Sequence, residues 1–164
     1  MKKTRDIIII GCGPAGASSA IQLKRMGFQP LVFERNEIGG LAVNANLIEN
    51  YLGYPNGISG VKFCSLLRKQ FLNHKIDIRF EEIESAEYKQ DNFLVRSEKG
   101  IYSSKYLIDA TGTEPVKPSE IFIDEKAVSK VFYEVKNLFS VKNKEIAVLG
   151  GGDAAFDYSL NLSK

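Results

Sequence analysis

Two glycine-rich segments contain the residues whose types and spacing could do chemistry in this 164-residue chain. The first is residues 11–16 (GCGPAG) and the second is residues 150–155 (GGGDAA). Each follows an apolar run, at 7–10 and at 146–149. Glycines placed in this way let the backbone turn sharply and approach a pyrophosphate, and the amides of the following helix favour anionic phosphates. Both segments are therefore candidate phosphate-binding loops.

The first loop has the partners that a dinucleotide site needs. Gly11 suits the tight turn out of a strand, Gly13 lets the backbone approach a pyrophosphate, and Gly16 lets the helix pack against the strand. Glu34 ends the next apolar run, about 20 residues further on, where its carboxylate can accept hydrogen bonds from ribose hydroxyls. Strand, loop, helix, second strand and acid are in register, which predicts a dinucleotide. The loop alone does not separate FAD from NAD.

The second loop fits the G-x-G-x-x-A variant that is more usual for NAD(P). Gly150, Gly152 and Ala155 supply its three positions. A strand before the loop and a helix after it predict that a nicotinamide dinucleotide pyrophosphate binds there. On the residues alone, a simple glycine-rich turn into a helix, with Asp153 near its start, explains the segment equally well.

The elements that must position the first loop follow from the hydrophobic pattern. A β-branched run predicts a parallel strand buried on both faces, and the helix and strand after it complete a β–α–β unit. Residues 36–60, rich in Gly and Asn, predict a long functional loop. The next helix has Val61, Cys64, Leu67 and Phe71 on one core-facing stripe. The predicted elements here are strand 6–10, helix 15–26, strand 30–34 and helix 61–73.

Short strands alternate with turns over the rest of the chain. We interpret Glu81, Glu82 and Glu84 as solvated charge on a strand or turn. Residues 114–142 contain prolines and little strand pattern, which predicts a linker with a short helix. The remaining predicted elements are strands 77–80, 93–96 and 106–110, then strand 145–149 and helix 154–162 around the second loop.

Charge and cysteine content argue against several classes of partner. The 22 basic and 20 acidic residues are interleaved and give a net charge of +2, which does not favour nucleic acid. Cys12, Cys64 and the single histidine, His74, support neither a disulfide framework nor a zinc site. The apolar run after Met1-Lys2-Lys3 is too short for a secretory signal, and no stretch approaches the roughly 20 apolar residues of a membrane span. We expect a cytoplasmic chain without a metal or a membrane anchor.

Three further segments, together with the first loop, resemble one family. They are Gly39-Gly40, residues 49–55 (ENYLGYP) and residues 109–112 (DATG). The chain is similar, over nearly its whole length, to the thioredoxin-reductase-like FAD- and NAD(P)-binding flavoproteins, a group that includes a class of ferredoxin–NADP reductases. The resemblance implies an α/β fold: a Rossmann-like FAD domain with a parallel sheet and a β meander, then the first β–α of a second Rossmann-like domain. The implied domains are 1–113 for FAD, linker 114–142, and 143–164 as an incomplete start of the NAD(P) domain.

The resemblance also implies which residues contact the two cofactors. Arg35 would flank the adenine, and Asn50 would bond the flavin or its ribityl chain. Leu41 stands where the family commonly has Gln, so that side-chain hydrogen bond is missing. We assign no catalytic residue, because the hydride chemistry belongs to the cofactors. The implied FAD contacts are Gly11, Gly13, Pro14, Ala15, Gly16, Glu34, Arg35, Gly40, Leu41, Asn50, Ala110, Thr111 and Gly112. The implied NAD(P)H contacts are Gly150, Gly152, Asp153, Ala154 and Ala155.

The function that the resemblance implies depends on one absent motif. Thioredoxin reductases carry a Cys-x-x-Cys pair shortly before the second loop, whereas residues 131–144 (VFYEVKNLFSVKNK) contain no cysteine. Disulfide exchange needs a thiolate. We therefore expect an enzyme in which NAD(P)H reduces FAD by hydride transfer and the flavin passes electrons to a non-dithiol acceptor, such as ferredoxin or another small electron-acceptor protein.

Two alternatives stay open at this point. One is a disulfide reductase of the thioredoxin type that works through a thiol outside this chain. The other is a non-catalytic nucleotide-binding module or inactive fragment, because one strand and one helix do not make a stable parallel sheet. A homodimer is compatible with each of these functions.

Overall fold

The computed structural model describes residues 5–116 and 123–163, so the basic start at 1–3 and part of the predicted linker, 117–122, lie outside the described residues. One sheet of six strands forms the centre. The strands are β1 (Arg5–Ile10), β2 (Leu31–Glu34), β3 (Asp77–Phe80), β4 (Ile83–Lys89), β5 (Asn92–Ser97) and β6 (Gly100–Asp109). Their order across the sheet is β3-β2-β1-β6-β5-β4.

The sheet combines a parallel half with an antiparallel half. β3, β2, β1 and β6 run parallel, whereas β6, β5 and β4 form an antiparallel meander. The long strand β6 belongs to both halves, because Ser104 pairs with Arg5 of β1 and also with Phe93 of β5. This confirms the predicted α/β fold with a Rossmann-like parallel sheet and a β meander.

The isoleucine run of β1 supplies both faces of the core, because successive side chains of a strand point to opposite faces. Ile7 and Ile9 pack under the helices α1 (Pro14–Arg25) and α2 (Gly60–Asn73). On the opposite face Ile8 packs with Phe33, Val95 and Tyr102. Full burial of such a side chain is worth about 1.5–3 kcal/mol. The first strand is therefore fixed in place from both sides.

The helix α2 forms as predicted, but its buried stripe is shifted. Val61, expected in the core, is 50% exposed, whereas Phe63 is 3% exposed. Gly60, Cys64, Leu67 and Phe71 complete the buried stripe. At 100° per residue Val61 lies to one side of this set, so the prediction for Val61 was wrong.

The meander contains one strand that the sequence pattern did not predict. β4 is exposed along almost its whole length, as an edge strand rich in charged residues, and so shows no apolar alternation. The predicted strand 93–96 lies inside β5. The predicted strand 106–110 corresponds only to the second half of β6, and β6 ends one residue before the predicted end, at Asp109.

The segment between β2 and α2 is a long loop, as predicted, with internal order. It contains a 3₁₀ turn, Gly40–Asn44, and an antiparallel bridge between Ile48 and Ile58. A Cβ on Gly60 would lie 2.1 Å from the carbonyl oxygen of Ala42. The loop therefore folds back tightly onto the start of α2.

The described residues 123–163 contain two short 3₁₀ turns and one helix. The turns Glu125–Lys130 and Lys136–Leu138 occupy the predicted linker, and the helix α3 (Asp153–Leu162) follows the second loop. The predicted strand 145–149 is absent from the described residues. A parallel strand needs a neighbour for its hydrogen bonds, and the described chain offers residues 145–149 no pairing strand.

Within the described part of the chain, no helix is long and apolar enough to span a bilayer.

Candidate functional site

The first glycine loop is held by contacts that only glycine allows. Gly11 leaves β1 with a φ of +96°, and its amide donates to the carbonyl of Phe33 at 2.7 Å. A Cβ on Gly11 would lie 2.2 Å from the carbonyl oxygen of Ala110, and one on Gly16 would lie 2.0 Å from that of Gly11. Real Cβ atoms do not come this close to a carbonyl oxygen. Strand, loop and helix α1 therefore pack backbone against backbone here.

Gly13 has the opposite environment, which suits it to a ligand. It is the residue before α1, and a Cβ placed on it would meet no atom within 4 Å. Pro14 and the exposed Ala15 are the first two residues of the helix. Its first turn has no acidic residue and no side-chain cap. The open amides at this end can bind an anion. The space in front of Gly13 therefore fits a pyrophosphate.

Glu34 joins the loop to the end of β2. Its side chain is buried, and Oε2 accepts a hydrogen bond from the Cys12 amide at 2.7 Å. Oε1 accepts one from the Asn36 amide at 2.9 Å. A carboxylate offers about four lone-pair positions, so acceptor capacity remains for a sugar hydroxyl. Glu34, which is predicted to bind a ribose, thus also caps the backbone of the loop.

A pocket of about 340 Å³ opens at the carboxyl ends of the parallel strands, beside Glu34. Ligands of open parallel sheets bind at this edge. Among the predicted residues, it brings together Gly11, Glu34, Arg35, Thr111 and Gly112. Its other lining residues were not predicted from the sequence; they are Ile10, Phe33, Glu81, Glu82, Ile83, Thr113 and Glu114. The position of residues 81–83 directly after β3, the parallel strand beside β2, could have indicated that they line this pocket.

Charge in this pocket is mostly negative. Glu34, Glu81, Glu82 and Glu114 line it, and Arg35 is its one lining cation among the described residues. Arg35 forms ion pairs with Glu114 and, at 3.4 Å, with Glu82. Such a wall repels a further phosphate and accepts hydroxyl and amino donors. The pocket therefore suits a nucleoside end with free ribose hydroxyls.

The turn after Gly39 brings a second segment against the loop. A Cβ on Gly40 would lie 3.4 Å from the Cα of Gly13, and the Gly39 amide donates to the Cys12 carbonyl at 2.9 Å. Leu41 is half-buried in the following 3₁₀ turn. Asn50 is exposed, on the loop 49–55. The structure thus places Gly40 at the first loop, whereas no described contact ties Asn50 to it.

The segment after β6 completes the edge of the site. The amide of Ala110 donates to the carbonyl of Ile10 at 2.9 Å, which extends the pairing with β1. The amide of Thr111 donates to Asp109 Oδ1 at 3.0 Å, and this bond lowers the pKa of Asp109. Gly112 has a φ of +74° and turns the chain away.

Glu81 is buried rather than solvated, which corrects the expectation from sequence. It is 6% exposed. Its carboxylate accepts hydrogen bonds from Ser97 Oγ at 2.6 Å and from the Tyr102 hydroxyl at 2.9 Å. Arg79 Nη1 lies 3.7 Å from Oε1. Glu82 and Glu84 are exposed, as predicted.

The pKa of Glu81 lies below its ordinary value of 4.5. Burial is the largest single influence and raises it. The hydrogen bonds from Ser97 and Tyr102 and the charges of Lys99 and Arg79 together outweigh burial. The ionised carboxylate is therefore part of the folded structure at neutral pH.

We expect acid to remove the stability that ionised Glu81 contributes. Because the folded-state pKa is lowered, this contribution is complete above the unfolded-state pKa and is lost as the pH falls through the folded-state value. Glu81→Gln should lower the free energy of unfolding by about 1–3 kcal/mol at pH 7. The difference from wild type should shrink as the pH falls below 4.5. Urea unfolding over this range measures it, with exposed Glu84→Gln as the control, and a pH-independent difference would contradict the assignment.

The two thiols are poor nucleophiles. Cys12 and Cys64 are free and buried. Burial, and then the charge of Glu34, raises the pKa of Cys12 to about 12. Burial, and then Glu37, raises the pKa of Cys64 to about 11, partly offset by Lys136. Few thiolates form at neutral pH under these conditions.

The second glycine loop lies on the surface. Gly150 has a φ of +139°, and its Cβ position lies 3.4 Å from the Cβ of Ala155. Gly152 is the residue before α3, and a Cβ there would meet nothing within 4 Å. Asp153 and Ala154 are exposed in the first helical turn. The loop has the backbone shape of a phosphate-binding turn, without the sheet behind it.

The described residues contain no group of three or more His, Cys, Asp or Glu side chains that could hold a metal ion.

The comparison with sequence families agrees with this geometry. A family model described as pyridine nucleotide-disulphide oxidoreductase matches residues 5–164. A thioredoxin reductase of Buchnera aphidicola subsp. Schizaphis graminum is 36% identical over 166 aligned positions, which cover 99% of this chain and 51% of that relative. The chain spans about half the length of the curated relatives it matches.

Solved structures lead to the same group. Lactococcus lactis thioredoxin reductase, in a state termed the FR conformation, superposes with a TM-score of 0.69 at 28% identity, covering 77% of this chain and 41% of that one. A ferredoxin-flavin thioredoxin reductase from Clostridium acetobutylicum superposes with a TM-score of 0.64 at 29% identity, covering 71% and 40%. The predicted thioredoxin-reductase-like resemblance is confirmed.

Proposed function

Because the chain belongs to the pyridine nucleotide-disulphide oxidoreductase family, we propose that it is a flavoprotein oxidoreductase in which NAD(P)H reduces FAD by hydride transfer. The flavin then passes electrons to a non-dithiol acceptor. Residues 1–113 are proposed to bind FAD, and residues 143–164 are proposed to belong to the part that binds the nicotinamide dinucleotide. The linker 114–142 joins the two. The observation that carries the proposal is the surroundings of the first loop. The space in front of Gly13 is open, and Glu34, which contacts the loop, lines the acidic pocket.

FAD suits the first site better than NADP does. The pyrophosphate fits in front of Gly13, Pro14 and Ala15, and the adenosine fits in the pocket beside Glu34. The carboxylates of that pocket favour the free ribose hydroxyls of FAD and disfavour the 2′-phosphate of NADP. Gly40 and Leu41 are proposed to line the flavin, and Arg35 the adenine. The residues from Ala110 to Gly112 close the edge of the site.

The second loop is the proposed site of the electron donor. Gly150, Gly152 and Ala155 have the spacing and the open backbone that a pyrophosphate needs. Asp153 and Ala154 start the helix whose amides would face that pyrophosphate. FAD supplies the chemistry of accepting a hydride and releasing electrons, and the protein orients the two cofactors.

A non-dithiol acceptor is proposed because the chain has no suitable thiol. Residues 131–144 contain no cysteine, and both existing thiols are buried with raised pKa values. A small electron-carrier protein such as ferredoxin fits this acceptor, and ferredoxin also stands in the name of one solved relative, a ferredoxin-flavin thioredoxin reductase. The two unpaired thiols fit a reducing cytoplasm, which we propose as the location.

The second candidate is a thioredoxin-type disulfide reductase. The names of the curated relatives favour it, since the first several are thioredoxin reductases. It would need a redox thiol outside this chain. A homodimer is compatible with both candidates.

An acceptor assay with the FAD-loaded chain separates the two candidates. Supplied with NADPH or NADH, the chain should reduce a ferredoxin and should not reduce thioredoxin disulfide. Cys64→Ser should leave the rate unchanged, because that thiol takes no part. Absence of ferredoxin reduction by a chain whose flavin is reduced by NADPH or NADH would contradict the proposed acceptor and favour the second candidate. Thioredoxin reduction by this chain alone, or loss of ferredoxin reduction in Cys64→Ser, would show that a thiol of this chain takes part and would contradict the proposal too.

A further inference from the structure

Asn44 holds the linker against the turn that follows Gly39-Gly40. Its side chain is 1% exposed. Oδ1 accepts hydrogen bonds from the backbone amides of Val135 at 3.1 Å and Lys136 at 3.0 Å. Nδ2 donates to the Leu41 carbonyl at 3.3 Å and to Glu134 Oε2 at 3.4 Å. Every hydrogen-bonding atom of this buried amide is therefore used to join residues 134–136 to the turn.

The same turn also contacts the helix of the second loop. The backbone carbonyl of Asn44 accepts from Asn161 Nδ2 at 3.0 Å. The amide of Asn46 donates to Asp157 Oδ2 at 2.9 Å. Linker and α3 are thus both attached to residues 44–46, and the linker cannot move away from the turn without losing buried hydrogen bonds.

Lys136 is the charged residue that this docking brings to the turn. Its ammonium lies 2.8 Å from Glu37 Oε1 and 3.6 Å from Glu134 Oε2, and its side chain is 24% exposed. The hydrogen bond with Glu37, which outweighs burial, raises the pKa of Lys136, so the group is protonated at neutral pH. Glu37 stands just before Gly39-Gly40, and Gly40 touches the first loop. The cation is therefore placed where the linker meets the proposed flavin-lining turn.

We propose that Lys136 is a cation of the flavin site, that Asn44 is its positioning residue, and that together they raise the reduction potential of the bound flavin. The inference rests on the proposed function. A hydride brings one unit of negative charge to the flavin, and a nearby positive charge stabilises that product. Glu37 and Glu134 weaken the field of Lys136, but removal of the ammonium still changes the local charge by one unit.

The midpoint potential of the FAD-loaded chain tests this inference. Lys136→Met should lower the two-electron potential by about 30 mV, a tenfold change in the equilibrium constant for reduction. Lys136→Arg should restore the wild-type value. Lys130→Met, which removes an exposed lysine of the same linker, should leave it unchanged. FAD content and the thermal midpoint of each variant show that the fold is kept.

A double-mutant cycle tests the role of Asn44. Asn44→Ala should also lower the potential, because the linker is released, and it should have no further effect in the Lys136→Met background. An unshifted potential in Lys136→Met, or equal shifts in the Lys136 and Lys130 variants, would overturn the inference alone. If Asn44→Ala does not fold, the Lys136 variants decide. Failure of the wild-type chain to retain FAD would contradict the proposed function, and this inference with it.

Discussion

Gly13→Ala should weaken FAD binding and leave the fold intact, whereas Gly16→Ala should destabilise the fold itself. The two glycines lie three residues apart in one loop, yet their surroundings are opposite. A Cβ on Gly13 meets nothing within 4 Å, and its φ of −68° is open to any residue. A Cβ on Gly16 lies 2.0 Å from the carbonyl oxygen of Gly11. Gly13 faces open space, where the pyrophosphate is proposed to bind, and Gly16 faces the protein.

The expected magnitudes follow from these contacts. At Gly16 the overlap with backbone should lower the free energy of unfolding by about 3 kcal/mol. This exceeds the roughly 1 kcal/mol that alanine gains over glycine in a helix. At Gly13 stability should change by at most about 1 kcal/mol. The added methyl group in the path of the pyrophosphate should weaken FAD binding tenfold to a hundredfold, or about 1–3 kcal/mol.

Urea unfolding of the apoprotein and fluorescence titration with FAD measure the two effects separately. Each variant serves as the control for the other, because the same methyl group is added at both positions. Wild-type FAD affinity in Gly13→Ala would contradict the placement of the pyrophosphate. Wild-type stability in Gly16→Ala would contradict the close packing of α1 on the loop.

Glu34→Gln is the second substitution with a large expected effect. Glu34 accepts hydrogen bonds from the amides of Cys12 and Asn36, and it borders the pocket proposed for adenosine. Glutamine offers one oxygen, so one of the two amides loses its partner, at a cost of about 1–3 kcal/mol in stability. The lost charge also weakens hydrogen bonds from ribose hydroxyls. We expect the dissociation constant of FAD to rise tenfold to a hundredfold, since a charged hydrogen bond contributes about 1.5–3 kcal/mol.

Glu82→Gln is the matched control for Glu34→Gln. Glu82 lines the same pocket, but its side chain is 65% exposed and its described ion pair with Arg35 is long, at 3.4 Å. Exposed ion pairs contribute at most about 1 kcal/mol. FAD titration and urea unfolding should therefore show a small change for Glu82→Gln. Equal effects of the two variants would refute a specific role of Glu34.

The sequence was sufficient to predict the parts of the fold that depend on local pattern. The isoleucine run, the glycine spacing and the acid at the end of β2 are close in sequence and interact through short-range geometry, so strand, loop and α1 were predicted correctly. The same holds for α2, apart from the position of Val61. Periodicity indicates an amphipathic helix more reliably than it indicates the edges of the buried stripe.

Contacts between distant residues account for what the sequence could not predict. The sequence around Glu81 predicts a solvated side chain, because Ser97 and Tyr102, which donate hydrogen bonds to its carboxylate, are 16 and 21 residues away. The contacts of Asn44 with residues 134–136 and Asn161 span 90 to 117 residues. No local pattern indicates such pairings. The strand expected at 145–149 fails for a related reason, because a strand depends on its partner rather than on its own sequence.

Anaerobic addition of NADPH or NADH to the purified, FAD-loaded chain tests the central claim most directly. The visible flavin absorbance should bleach as hydride passes from the nicotinamide, and readmission of an electron acceptor should restore it. Bleaching in wild type with little bound flavin in Gly13→Ala is the predicted result. Bound flavin that neither nicotinamide reduces, or the absence of any bound flavin in the wild-type chain, would contradict it.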